Sequence, residues 1–322
     1  MQSVRYLLRC LAALLLAGLW SCLSAQAARA QSCPPPFRQP SEAEVNRQAG
    51  SAQDRGFLWS ISKYGVTSYL YGTMHVQKLN WIYPGPRLRR TLLSVKLLAL
   101  EVDPSDPEVR RQIREPPTEG AVRFTLPEPL RQRVYARMRA ECVNPPIAGA
   151  SQAAPMRVTS LELLDARRDG LEAAFGSDVV LASAAHSVHK PIYSLETVSE
   201  QMRALRPANE AEFVSLLQQG LDNLDSGASR RVRTHLVNAW STSDADAMQH
   251  YKDWCECQQT DAQRAQYKRV VDDRNLLLAE RIGALHVRRG PVLVGVGALH
   301  MFGPEGLVEL LRARGFTVTR VF

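Results

Sequence analysis

Two stretches far apart in the chain carry the same device. Ser68-Tyr69-Leu70-Tyr71-Gly72-Thr73-Met74-His75 is an apolar, strand-like run that reaches a glycine and, three residues later, a histidine. Val292-Leu293-Val294-Gly295-Val296-Gly297-Ala298-Leu299-His300 repeats the arrangement 225 positions later. A glycine closing a β-rich run lets the backbone turn sharply or approach another group closely. The histidine then falls just past a strand end, where open α/β sheets place their binding crevices. Chance supplies about 0.4 copies of Gly-x-x-His at this composition, so the strand context carries the signal. If both strands belong to one sheet, the two imidazoles meet.

The rest of the chain reads as α/β. Phe57–Ser62 and Thr67–Gly72 are strand-like, joined by a turn at Lys63-Tyr64-Gly65-Val66. Leu97–Val102 is a buried strand with Glu101 near its C-terminal end, a carboxylate that is costly to bury unless paired. Ile192–Leu195 is a further strand, and the chain closes strand–helix–strand over Val292–Val296, Glu305–Arg314 and Phe316–Val321. Between these, Leu130–Glu141, Leu161–Gly170, Ser177–His189, Val198–Leu205 and most of Asn209–Arg289 have helical patterning. The expected architecture is a mixed β-sheet core carrying a largely helical middle insert. The divisions are residues 1–30, a Pro-rich leader over 31–56 expected to be extended, and one α/β domain over 57–322.

Residues 1–30 read as a secretory signal. Arg5 and Arg9 precede the apolar Leu11–Leu19, and Ala28-Arg29-Ala30 is a small-x-small cleavage site before Gln31. Leu19-Trp20-Ser21-Cys22 loosely resembles a lipobox, which would instead place a lipid on Cys22. The expectation is a periplasmic or secreted protein with no transmembrane segment in the mature chain. The net charge of +8 is spread along the sequence, and no basic–aromatic interleaving argues for nucleic acid. The mature chain keeps Cys33, Cys142, Cys255 and Cys257, an even number that in an oxidising compartment points to two disulfides. Cys255 and Cys257 are one residue apart and read as poorly placed to pair with each other, so each is expected to join Cys33 or Cys142.

Tyr71-Gly72-Thr73-Met74-His75, Leu100-Glu101-Val102-Asp103, Lys190–Thr197 with Glu200-Gln201, Arg274-Asn275 and Val294–Gly306 occur in this order. Together they resemble the TraB/GumN family, bacterial relatives of the Tiki metalloproteases, from about Phe57 to Phe322. The resemblance implies a core shared with erythromycin esterases and haem-binding ChaN-like proteins. It also implies a divalent metal (Zn, Mn or Co) held by His75, His300 and Glu101, with Glu101 as the catalytic carboxylate acting on a peptide or protein. Arg274, Asn275 and Glu196 match family positions of less defined role. Two neutral imidazoles and a carboxylate leave open positions on such an ion, whose bound water then ionises near neutrality.

Each residue also has a plainer reading. Either histidine alone is an ordinary strand-end side chain; as a matched pair with Glu101 they favour metal. Glu101 can be ligand or base, and if it is a ligand then Asp103 or Glu196 becomes the candidate base. Arg274 can steady an oxyanion and Asn275 can orient a ligand, or both can be ordinary helix residues. Glu196 reads most simply as a carboxylate bonding the amides of a helix start. His186 and His189 share one helix face but lack the glutamate of a zincin pair, and read as helix-end histidines. No Gly-x-Ser-x-Gly supports a serine hydrolase, and Gly295-Val296-Gly297 lacks the third glycine of a dinucleotide fingerprint. The leading expectation is an exported metal-dependent hydrolase cleaving peptide bonds. The alternatives are a non-catalytic metal- or haem-binding periplasmic protein and an accessory factor in envelope polysaccharide production.

Overall fold

The structure, a computed structural model, describes residues 33–114, 124–143 and 154–322. The signal and lipobox expectations, and most of the loop expected over Asn144–Pro155, lie outside the described residues.

Six strands form one sheet: β1 (Phe57–Lys63), β2 (Val66–Thr73), β3 (Leu97–Leu100), β4 (Ile192–Ser194), β5 (Val292–Gly297) and β6 (Thr317–Arg320). Their order is β4-β3-β5-β2-β1-β6. The strands β4, β3, β5 and β2 run parallel, while β1 is antiparallel to both β2 and β6. The hairpin between β1 and β2 closes at Tyr64-Gly65, both with positive φ, which matches the twist of the flanking strands. β3 is apolar and buried throughout, and β5 is buried over Val292–Val296, as parallel strands covered on both faces require. Phe57, Leu70, Leu98, Ile282 and Leu293 are fully enclosed in the main core.

The helical middle has a second apolar cluster of its own, including Phe124, Val134, Phe213, Leu217 and Leu221. The middle therefore packs as a layer with its own interior, consistent with an insert on the sheet core. The leader departs from expectation. Glu42–Ala49 is a helix, opened by Ser41 and Glu44 bonding each other's backbone amides. That Ser-x-x-Glu box outweighs the flanking prolines.

The disulfide pairing is corrected. Cys33 bonds Cys142, and Cys255 bonds Cys257. The expectation that Cys255 and Cys257 are poorly placed to pair rested on their separation by a single residue. Glu256 instead takes a left-handed conformation, φ 51°, which folds the three residues back and leaves the cysteine Cα atoms 5.1 Å apart.

Candidate active site at the carboxyl ends of four strands

The register brings the two Gly-x-x-His turns side by side. Gly72 lies opposite Val296 and Thr73 opposite Gly297 in the parallel β2–β5 pair, while Leu100 of β3 lies opposite Gly295. His75, His300, Glu101 and Glu196 thus follow the carboxyl ends of β2, β5, β3 and β4, four adjacent parallel strands. The motif glycines make this possible. A Cβ on Gly72 would come within 3.2 Å of the Ala298 backbone, and one on Gly297 within 3.3 Å of Glu101 Oε1. Trp240 Nε1 donates to the Gly72 carbonyl and fixes the first turn from behind.

Glu101 is buried just beyond β3. Its Oε1 accepts from the Gly297 backbone N–H at 2.7 Å, so the second Gly-x-x-His turn itself binds the carboxylate. Its Oε2 accepts from Gln201 Nε2 and from Arg274. Burial alone would push this carboxyl up; Arg274, the two histidines and the Gly297 amide outweigh burial and hold it down at about 2. Glu196 is likewise buried, and accepts from Arg274 Nε at 3.0 Å and Nη2 at 2.5 Å and from Gln201 at 3.2 Å. The expected bonding of Glu196 to helix amides is therefore overturned. Thr197 and Glu200 cap the Val198–Leu205 helix instead, leaving Glu196 to serve the arginine. Burial would weaken the charge on Arg274, but the Glu196 and Glu101 carboxylates hold it firmly protonated.

The two histidines are unlike. His300 is 5% exposed, and its Nδ1 meets Asn275 Oδ1 at 2.7 Å. Asn275 spends its Nδ2 on the Glu305 carbonyl, so its oxygen must accept and His300 Nδ1 must carry the proton. Nε2 is then a lone pair, which accepts from Arg274 Nη1 at 3.2 Å. Burial keeps this ring neutral down to about pH 4. The His75 side chain is 68% exposed, and its Nδ1 meets Asp178 Oδ2 at 3.1 Å. The Asp178 charge and hydrogen bond raise it to about 9. His75, Glu101, His300 and Arg274 sit within electrostatic reach of one another.

Of the residues expected from sequence, the structure brings His75, His300, Glu101, Glu196, Arg274 and Asn275 together. Asp103 is not among them: its Oδ1 is taken by the Ser105 amide and hydroxyl, and Ser105 in turn meets His186 Nε2 at 2.6 Å. His186 and His189 contribute nothing to the cluster. The sequence reading missed Asp178 and left Gln201 without a role. Asp178 lies in the first turn of the Ser177–Ser187 helix, and Ser177 bonds both backbone groups of Met74, which presses that helix start against His75. An aspartate at a helix start signals only a cap, and nothing in the sequence connects it to position 75.

A model of the TraB/PrgY/gumN family matches residues 57–320. The chain belongs to that family. It is also 29% identical over 160 residues to the uncharacterized protein YbaP of Escherichia coli (strain K12) and, equally, to that of Shigella flexneri. The match covers 47% of this chain and 53% of each relative, so the chain spans about half the length of the curated relatives it matches. No solved structure matches the chain.

The donor set is one that a divalent ion of the zinc, manganese or cobalt type accepts: two imidazoles and a carboxylate. Each ring has its Nδ1 fixed by a side-chain acceptor, the outer support that metal-bound histidines use. Among the described residues, no three His, Cys, Asp or Glu side chains converge on a point that could hold a metal ion. Arg274 takes the His300 Nε2 lone pair and one Glu101 oxygen. The fit to a metal is thus one of donor type and tautomer.

Proposed function

We propose that this family member is an exported hydrolase that cleaves peptide bonds with water at the carboxyl ends of β2, β3, β4 and β5. The observation that carries the reading is Glu101 bonded to the Gly297 amide of the second turn, with His75 and His300 following the ends of neighbouring parallel strands in surroundings that drive the three groups' pKa values apart. Groups whose environments drive their protonation apart are the usual mark of assigned acid and base roles. His75, His300 and Glu101 would hold a divalent ion, which would supply a Lewis acid and a bound water of lowered pKa.

The chain's own residues do the rest. Asn275 holds His300 in the tautomer that offers Nε2. Asp178 aims the His75 ring and holds its Nδ1 proton, which leaves Nε2 for the ion once the ring's second proton is lost. Arg274, braced by Glu196 and Gln201, places fixed positive charge where an oxyanion would form. Glu101, with Oε1 on the Gly297 amide and Oε2 on Arg274, is the carboxylate of that donor set. Export is supported by the two disulfides, which persist in oxidising compartments.

The test is a peptide-library screen with purified protein, with and without chelator, run beside Glu101→Gln. Cleavage that needs metal, and that vanishes in a folded Glu101→Gln variant, is the expected outcome. Cleavage that survives Glu101→Gln would contradict it.

A further inference from the structure

The end of the sheet opposite the candidate site has a different character. The parallel strands begin there, so the segments that precede them share one face. Hydrogen bonds stitch these segments together. Lys63 Nζ donates to the Arg314 carbonyl at 2.5 Å, and His286 Nε2 meets the Lys63 carbonyl at 3.1 Å. The Lys96 amide donates to the Pro291 carbonyl at 2.9 Å, and Lys190 Nζ to that of Val95. Six strands at about 4.8 Å spacing make this edge about 24 Å wide.

None of its five segments, residues 61–67, 93–97, 186–192, 286–291 and 312–317, contains an aspartate or glutamate. They carry Lys63, Lys96, Lys190, Arg288, Arg289, Arg312 and Arg314; Arg312 pairs with Glu309, and among the described residues no carboxylate pairs with any of the other six. Large apolar side chains protrude between the cations: Tyr64 at 76% exposure, Val287 at 63%, Leu93 at 52% and Val188 at 42%. Scattered exposed apolar residues need no explanation, but four on one face with unneutralised positive charge do.

We propose that this face docks on an anionic phospholipid bilayer. Charge complementarity selects that occupant: cations near an anionic lipid surface are each attracted to it, and apolar tips between them enter the headgroup boundary. Peripheral binding of this kind suits a chain in which no described helix is long and apolar enough to cross a membrane. The candidate site, at the far ends of the same strands, would face away from the lipid.

The test places an environment-sensitive fluorophore at Val287→Cys in the full-length protein carrying Cys10→Ser and Cys22→Ser, its other four cysteines being bridged, and adds vesicles of phosphatidylcholine alone or with one third phosphatidylglycerol. A label at Asp106→Cys, beyond β3 at the site end, serves as the control. The readout is local to the labelled face, so residues 1–30, common to all variants, do not decide it. The Val287 label should shift to the blue with the anionic vesicles only, weaken as salt rises, and leave the Asp106 label unchanged. Arg288→Gln with Arg289→Gln should lower the apparent vesicle affinity roughly thirtyfold, at about fivefold per cation. An absent shift, an equal response to phosphatidylcholine, or a response to a soluble anionic polymer but not to vesicles would overturn the proposal.

Discussion

The two Gly-x-x-His turns are near copies in sequence and opposites in chemistry. His300 is enclosed, bonded to a neutral amide and held neutral down to about pH 4. His75 stands open to solvent, bonded to a carboxylate and held protonated up to about pH 9. A short motif sets where an imidazole sits, while the residues around it set what that imidazole does. Those residues come from elements distant in sequence: Asn275 and Arg274 from the Asp273–Arg289 helix, Asp178 from the Ser177–Ser187 helix.

The largest effect should come from breaking the buried side of this contrast. Arg274→Met leaves Glu101 and Glu196 facing each other without their shared cation, and should cost about 3–5 kcal/mol in urea unfolding. Combining it with Glu101→Gln and Glu196→Gln should restore part of that loss, because no unpaired charge then stays buried. A smaller effect, about 1–3 kcal/mol, is expected for Asn275→Ala, which strands the His300 Nδ1 proton and the Glu305 carbonyl. Nitrogen chemical shifts should also show His300 losing its fixed Nδ1–H tautomer in that variant.

The exposed side responds more weakly and with a defined pH sign. The His75 pKa is raised from its ordinary 6.5 to about 9, so its pair with Asp178 stabilises the fold fully below pH 6.5 and fades as pH rises through 9. His300 acts the other way: its pKa is lowered to about 4, so stability falls as pH drops from 6.5 towards 4. Asp178→Asn should bring the His75 titration back towards 6.5 and cost at most about 1 kcal/mol, since the pair is solvent-exposed. That cost should be measurable at pH 6 and absent at pH 10.

Much of the core and most of the site are legible in the sequence, for identifiable reasons. β3 and β5 are continuous apolar runs, and the Tyr64-Gly65 turn announces its hairpin. Glu101 stands out because a carboxylate closing an apolar strand must be paired. Its partner Arg274 carries no such mark, because a helix arginine looks the same whether it faces solvent or two buried carboxylates. Asp178 was invisible, since its tie to His75 exists only after the helix start folds against Met74. The Cys255–Cys257 bridge was misread because a single left-handed residue, Glu256, reverses the chain without a glycine to signal it. The cations of the opposite face are scattered in sequence and gather only through the sheet.

The central proposal is that the paired turns form one ion-binding active centre with Glu101, and metal stoichiometry tests it most directly. Each variant would be loaded with zinc, manganese or cobalt and measured after exhaustive dialysis across a pH series. His75→Ala and His300→Ala should each lose the ion, while His186→Ala and His189→Ala should keep it. Affinity in the parent should rise about tenfold per pH unit towards pH 9, because the ion must displace the His75 proton. Equal metal content in the parent, His75→Ala and His300→Ala, with no pH dependence, would contradict the account.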